Sequence, residues 1–422
     1  MRRLESGLAI LPIVLLGMAA VACDSAQHAS SANTPSASQS TPRTSEAVVS
    51  ITPRAGSTRA DPGGGITVHV TDGTLTSVVA RGAGHSLPGL LTARATRWHS
   101  GQILHTDTRY TVRATAVDAA GRRVTATSTF RTLRPAQTER MVIFEGHGGT
   151  YGVGMPVILT FDHPVVYKRA VERRLELRAS QPVVGAWYWD GDTTLYFRPR
   201  RYWPPNTTVH FTGRLDGVEV APGVYGVHTL TQTFRIGRSL IAVADTSTHH
   251  VLIYLDRKLF GDWPMSSGKP GDDTPNGTYL TIEKQNPAEM KGPGYDIEVP
   301  WSVRFTWSGD YLHDAFWSVG EQGFENVSHG CVNLSPANAE TYYKLAVPGD
   351  PVTITGSPRG GTWGNGWTVW FLSWRELLHG SALHQAVRVG PNGSRFVRPA
   401  SLKRGINTPP LLAPAPGNSA PA

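Results

Sequence analysis

Cysteine is almost absent from this chain: 422 residues contain two, Cys23 and Cys331. A scaffold stapled by several disulfides is therefore excluded, and whatever holds the fold together must be packing. Long apolar runs are also missing. After residues 8–18 no stretch approaches the roughly 20 apolar residues that a membrane-spanning helix needs. Charged residues make up only 17% of the chain, yet the balance is basic, with formal net charge +8. No compact basic run and no nucleic-acid motif accompanies that charge, so nucleic acid is not an expected partner. A basic protein outside the cytoplasm more simply meets an anionic cell envelope. The histidines show no zinc-ligand spacing with a carboxylate, so neither metal nor cofactor is expected.

What is abundant is turn chemistry: 45 Gly and 31 Pro, with hydrophobic residues at 40%. Few apolar patterns have helical period, which points to a mainly β protein of two to four domains. Residues 1–22 read as a signal peptide, with Arg2 and Arg3 ahead of the apolar stretch. Ala20-Val21-Ala22-Cys23 resembles the lipobox of bacterial lipoproteins. That resemblance makes Cys23 the lipidated mature N-terminus and anchors the chain to the cell membrane on its wall side. The alternatives are a plain cleaved signal or an uncleaved anchor. Residues 23–46 are rich in Ser, Thr, Ala and Pro and read as a flexible tether.

Two β modules follow, over 47–134 and 135–238. Ile66-Thr67-Val68-His69-Val70 and Tyr110-Thr111-Val112-Arg113-Ala114 alternate with period two, the mark of half-buried strands. The first module closes on Thr129-Phe130-Arg131 and the second on Thr233-Phe234-Arg235. Modules of about one hundred residues with turns every eight to twelve suit immunoglobulin-like sandwiches, here without the antibody-type disulfide. Trp187, Trp189 and Trp203 fit a sandwich core better than a sugar platform. Asp190, Asp192, Asp216 and Glu219 match no calcium loop and read as solvated turns.

The chemistry concentrates in Ser328-His329-Gly330-Cys331-Val332-Asn333, with His313 eighteen residues before Cys331. A lone thiol in an exported chain is a candidate nucleophile, and an imidazole can take its proton near neutral pH. Gly330 removes a side chain beside the sulfur, so a substrate can approach and backbone N–H groups can face an oxyanion. The competing possibility is a buried, inert cysteine.

This pattern resembles the signature of the L,D-transpeptidases, the YkuD-type enzymes of cell-wall cross-linking. The order Ser266-Ser267-Gly268-Lys269, then Thr274-Pro275-Asn276-Gly277-Thr278-Tyr279, resembles the same domain, which would occupy 239–356. The resemblance implies a β-sandwich whose cleft holds the cysteine, and acyl transfer between peptidoglycan stem peptides. Cys331 would be the nucleophile, His313 the base and later acid, and His329 a neighbour. The N–H groups of His329, Gly330 and Cys331 would line an oxyanion hole. Tyr295 would reach the site from a lid shortened here, where a match at Met290 is also implied. Ser308, Gly309, Gly330 and Asn333 would line the cleft. Asp314 stands where relatives have Ser; the resemblance implies that its backbone carbonyl orients the imidazole, while its carboxylate either stabilises an imidazolium or points to water. In the family the thioester chemistry is trapped by carbapenems.

Rival readings are a cysteine peptidase of the wall, in which Cys usually precedes His, an L,D-carboxypeptidase, and a non-catalytic wall-binding lipoprotein. Pro336–Leu345 reads as a helix capped by Ser335. Residues 357–397 carry Trp363, Trp367, Trp370 and Trp374 and a short helix from Ser373 to His379. This strip is expected to pack back on the catalytic domain. Residues 398–422 are Pro- and Ala-rich and read as disordered. A monomer is expected.

Overall fold

The computed structural model describes residues 44–292 and 295–397. Cys23, the signal segment, most of the tether and the tail beyond Val397 lie outside the described residues. Within them the chain is mainly β, in two sandwich modules and a third β unit.

In the first module, strands Val48–Thr52, Thr67–Thr71, Arg97–Ser100 and Gly89–Leu91 form one sheet. The facing sheet contains His85–Leu87, Thr74–Gly82, Arg109–Val117 and Arg123–Arg131. Alternation does what it must: Tyr110, Val112, Ala114 and Ala116 are all buried while Arg109, Thr111 and Arg113 face out.

The second module pairs a sheet holding Val157–Phe161, Thr194–Pro199 and Val183–Asp190 with one holding Leu175–Ala179, Thr207–Arg214 and Thr229–Ile236. Trp187, Trp189 and Trp203 fill its core, where large aromatic faces bury the most apolar area. The acidic turn residues are engaged locally. Asp192 pairs with Lys168, Asp216 meets His105, and Glu219 accepts the N–H of Gly223.

The C-terminal strip corrects the expectation drawn from sequence. Strand Ala386–Gly390 adds to the edge of Val183–Asp190, pairing Val183 with Val389, and Gly393–Val397 pairs beside it. Trp370 donates to the carbonyl of Gly154 at 2.7 Å and lies under the guanidinium of Arg198. Trp363 packs on Tyr188. The strip therefore rests chiefly on the second module, and touches the third unit through Trp367 on Trp307 and Phe371 on Tyr279. Buried Glu172 ties this return: its carboxylate accepts from Trp189 Nε1, Ser381 Oγ and the N–H groups of Ala382 and Leu383.

The third unit begins at Leu240. Strands Lys258–Pro264, His250–Leu255, Leu240–Asp245, Pro351–Thr355 and Gly277–Leu280 form a five-stranded sheet. A four-stranded sheet orders Glu283–Gln285, Ser302–Arg304, Tyr311–Asp314 and Val332–Leu334. Between them lie Val251, Ile253, Val303, Phe305, Leu312, Val332 and Tyr342, all buried. Helix Pro336–Leu345 covers the second sheet, begun by Ser335 Oγ accepting the N–H of Asn338. Arg238, at the junction with the second module, forks onto the buried carboxylate of Asp350 and also reaches the carbonyl of Leu345.

Candidate active site

Two neighbouring strands bring the thiol and the imidazole into one neighbourhood. Tyr311–Asp314 and Val332–Leu334 run parallel, with Leu312 opposite Val332 and His313 opposite Asn333. Cys331 is the residue just before its strand. The loop that presents it is fixed from several sides. Ser328 Oγ donates to the carbonyl of Cys331 at 2.7 Å and accepts the N–H of Gly330 at 3.1 Å. Thr274 Oγ1 donates to the carbonyl of Gly330 at 2.7 Å. Gly330 has φ +126°, a backbone conformation that a side chain would make costly.

His313 is 3% exposed. Its Nδ1 lies 2.7 Å from the carbonyl oxygen of Asp314, so Nδ1 carries the proton and Nε2 keeps the lone pair of a neutral ring. Burial holds the imidazole down to about 4, with the Asp314 carbonyl opposing. The Cys331 thiol is pushed up to about 12, by burial first and then by the negative charge of Asp310, while the N–H of Tyr311 acts the other way. The sulfur's hydrogen-bond contact is the carbonyl oxygen of Gly309, at 3.7 Å. Both shifts favour the neutral thiol and the neutral imidazole over a thiolate–imidazolium pair.

The contact of Asp314 with the ring is made by its backbone carbonyl. Its carboxyl is buried, Oδ1 has no hydrogen-bond partner among the described residues, and burial raises its pKa, against the N–H of Phe316. Asn333 also lies inside rather than along a cleft: its amide donates to Ser318 Oγ at 2.9 Å and its backbone pairs with Ser266. Gly330 N–H, expected in an oxyanion hole, is turned to Ser328.

His329 is exposed. Its Nε2 accepts from Lys269 Nζ at 3.1 Å, and its ring packs at a tilt on Tyr295 with centroids 5.1 Å apart. Tyr295 opens strand Tyr295–Val299, which pairs with Ala288–Gly292 in a two-stranded ribbon where Met290 faces Ile297. Ser308 is exposed and exchanges hydrogen bonds with Asn365, and Gly309 (φ +105°) completes the turn before Asp310.

Several residues here are not legible as motifs. Trp317 stacks on His313 with centroids 6.0 Å apart and covers it, although 47% of Trp317 is exposed. Lys269, Thr274 and Ser328, which do lie inside the motifs quoted from the sequence, orient the loop. Asp310 is the carboxylate beside the thiol, and the one charged residue in Phe305–Leu312 was the available signal.

Fold and site together define a cell-wall transpeptidase built on a β-sandwich. The L,D-transpeptidase catalytic domain model matches residues 239–354, and a bacterial Ig domain model matches residues 57–219. L,D-transpeptidase 5 of Mycobacterium tuberculosis is 35% identical over 331 residues, covering 75% of this chain and 73% of that protein. L,D-transpeptidase 2 of the same species is 31% identical, covering 75% and 80%. Among solved structures, LD transpeptidase LdtMt1 in complex with imipenem is 33% identical, with a TM-score of 0.45 over 52% of this chain and all of that one. The chain belongs to the L,D-transpeptidase family.

Proposed function

We propose that this chain forms 3–3 cross-links in peptidoglycan through a thioester on Cys331. The observation that carries the reading is the neutral, carbonyl-anchored His313 on the strand beside that of the thiol. Nε2 takes the Cys331 proton as sulfur bonds to the carbonyl carbon of the third stem residue, and returns it to the departing D-alanine amine. The amine of a second stem then attacks the thioester; its carbon–nitrogen bond forms as the carbon–sulfur bond breaks. Tyr295 supplies a hydroxyl at the cleft, and the N–H groups of His329 and Cys331 are the oxyanion donors left, since that of Gly330 is engaged. Transfer rather than hydrolysis is the expected outcome, with stem peptides as partners and a monomer as the working unit.

Intact mass after incubation with a carbapenem tests the nucleophile. Wild type should gain one adduct and Cys331→Ala none; an adduct on the Ala variant would overturn the assignment. We further propose that Cys23 carries the lipid that anchors the enzyme on the wall side of the membrane. The motif Ala20-Val21-Ala22-Cys23 supports this. A fatty-acid probe should label wild type and not Cys23→Ala, and equal labelling would rule lipidation out.

A further inference from the structure

We propose that Asp310 is the residue that receives the ammonium group of the incoming acceptor, an assignment that rests on the acyl-transfer reaction above. Its carboxyl is held by one oxygen only. Oδ2 accepts from Thr306 Oγ1 at 2.6 Å and from Ser308 Oγ at 3.2 Å, and the Asp310 N–H returns to Thr306 Oγ1 at 2.8 Å. Ser308 is itself fixed by Asn365. Oδ1 has no hydrogen-bond partner among the described residues. Among the described residues no lysine or arginine lies within ion-pair distance of this carboxylate. Nearby Arg304 is committed to Glu283, Arg359 donates to the carbonyl of Asp273, and Lys269 pairs with Asp272.

The free oxygen is beside the reacting centre. A Cβ built on Gly330 would stand 2.5 Å from Asp310 Oδ1, so the missing side chain next to Cys331 is what leaves room for it. The carboxylate acts on Cys331 and on Tyr295, raising both. For the first half of the reaction this is a cost, because a negative neighbour disfavours the thiolate. For the second half it is useful. An aliphatic amine with a pKa of about 10 reaches the cleft as an ammonium ion and cannot attack until it loses a proton. At Oδ1 the ammonium is bound by charge and hands one proton to the carboxylate, giving a neutral amine and a carboxylic acid. Burial raises the Asp310 carboxyl, against Thr306, Ser308, Arg359 and Arg304, which brings the two groups closer in basicity. The amine then bonds to the thioester carbon, the carbon–sulfur bond breaks, the second amine proton passes through His313 to the sulfur, and Asp310 returns its proton to solvent.

Asp310→Asn in the full chain separates this from a structural role, since the amide keeps an oxygen for Thr306 and Ser308. Three rates are measured: acylation by imipenem, transfer from the tripeptide thioester that a tetrapeptide donor leaves on Cys331 to a stem-peptide amine, and transfer to hydroxylamine, which is neutral at neutral pH. Acylation should be at least as fast as in wild type, because the charge that opposes the thiolate is gone. Transfer to the ammonium acceptor should fall at least about tenfold, with a raised KM for that acceptor. Transfer to hydroxylamine should not fall with it, and Asp310→Glu should recover part of the loss. Equal use of the ammonium acceptor by wild type and Asp310→Asn, or an equal decline of all three rates, would overturn the assignment. A wild type that forms no acyl-enzyme would instead sink the reaction on which it rests.

Discussion

Tyr295 and His329 pack ring against ring at a 35° tilt, 5.1 Å between centroids, and so tie the two-stranded ribbon to the loop that carries Cys331. The Tyr295 hydroxyl is raised, by burial first and then by Cys331, Asp272 and Asp310, which keeps it protonated and able to donate. Tyr295→Phe preserves the ring contact and loses the donor, so kcat/KM for transfer should fall by a factor of about three to ten, one neutral hydrogen bond. Tyr295→Ala loses both and should fall further. Equal rates for Phe and wild type would remove the hydroxyl from the reaction.

His313 should matter far more than His329. His313→Ala is expected to lower turnover by about 10²–10⁴-fold, the usual contribution of a general base, and His329→Ala much less. The acid limb of the acylation profile should lie near pH 4, because burial holds the imidazole there and the free ring is the active form. The profile of Asp314→Ser should superimpose on wild type, since the ring is anchored by a main-chain carbonyl. An acid limb at the ordinary histidine value would contradict this reading of the site.

Glu145 predicts a stability loss toward alkaline pH. Its carboxyl is buried, Oε1 has no hydrogen-bond partner among the described residues, and burial raises it from 4.5 to about 8. The folded state therefore holds a proton that the unfolded state releases, and this contribution is full below 4.5 and lost as pH rises toward 8. Glu145→Gln should raise the Tm at pH 8 relative to wild type and change it little at pH 5. Parallel Tm curves would sink the idea.

Glu172 should be a point of failure for the second module. Glu172→Ala leaves four donors, from Trp189, Ser381, Ala382 and Leu383, without their acceptor. Each unsatisfied buried donor costs about 1–3 kcal/mol, so denaturant unfolding should show a loss of several kcal/mol. Glu172→Gln, which keeps an acceptor oxygen, should lose less. A midpoint shift close to zero for Ala would mean that the knot is solvated.

Much of this was legible because it is local. Strand alternation, the Ser335 cap and the Cys331 box are written in consecutive residues, and the structure places strands and helix on those segments. Pairing between distant segments was not. Ala386–Gly390 and Gly393–Val397 carry apolar residues and a Pro391-Asn392 turn, but nothing in them names a partner two hundred residues earlier. The four tryptophans drew the eye to packing and hid the strand addition. At the site, the carbonyl of Asp314 that holds the imidazole was implied by the resemblance, because every residue has one and a change of side chain leaves it in place. The commitment of Gly330 N–H to Ser328, by contrast, could not be read from spacing, because it depends on how the loop turns.

The return of the chain to the second module has a mechanical meaning. A domain on a single linker can swivel; one gripped at both its entry and its exit cannot. Here the entry is held by Arg238 on Asp350, and the exit by a strand sewn into the neighbouring sheet. A pull along the chain is therefore shared with that sheet rather than borne by the catalytic core. The aim of the cleft is then set by the module beneath it, which acts as a fixed mount and not as a leash.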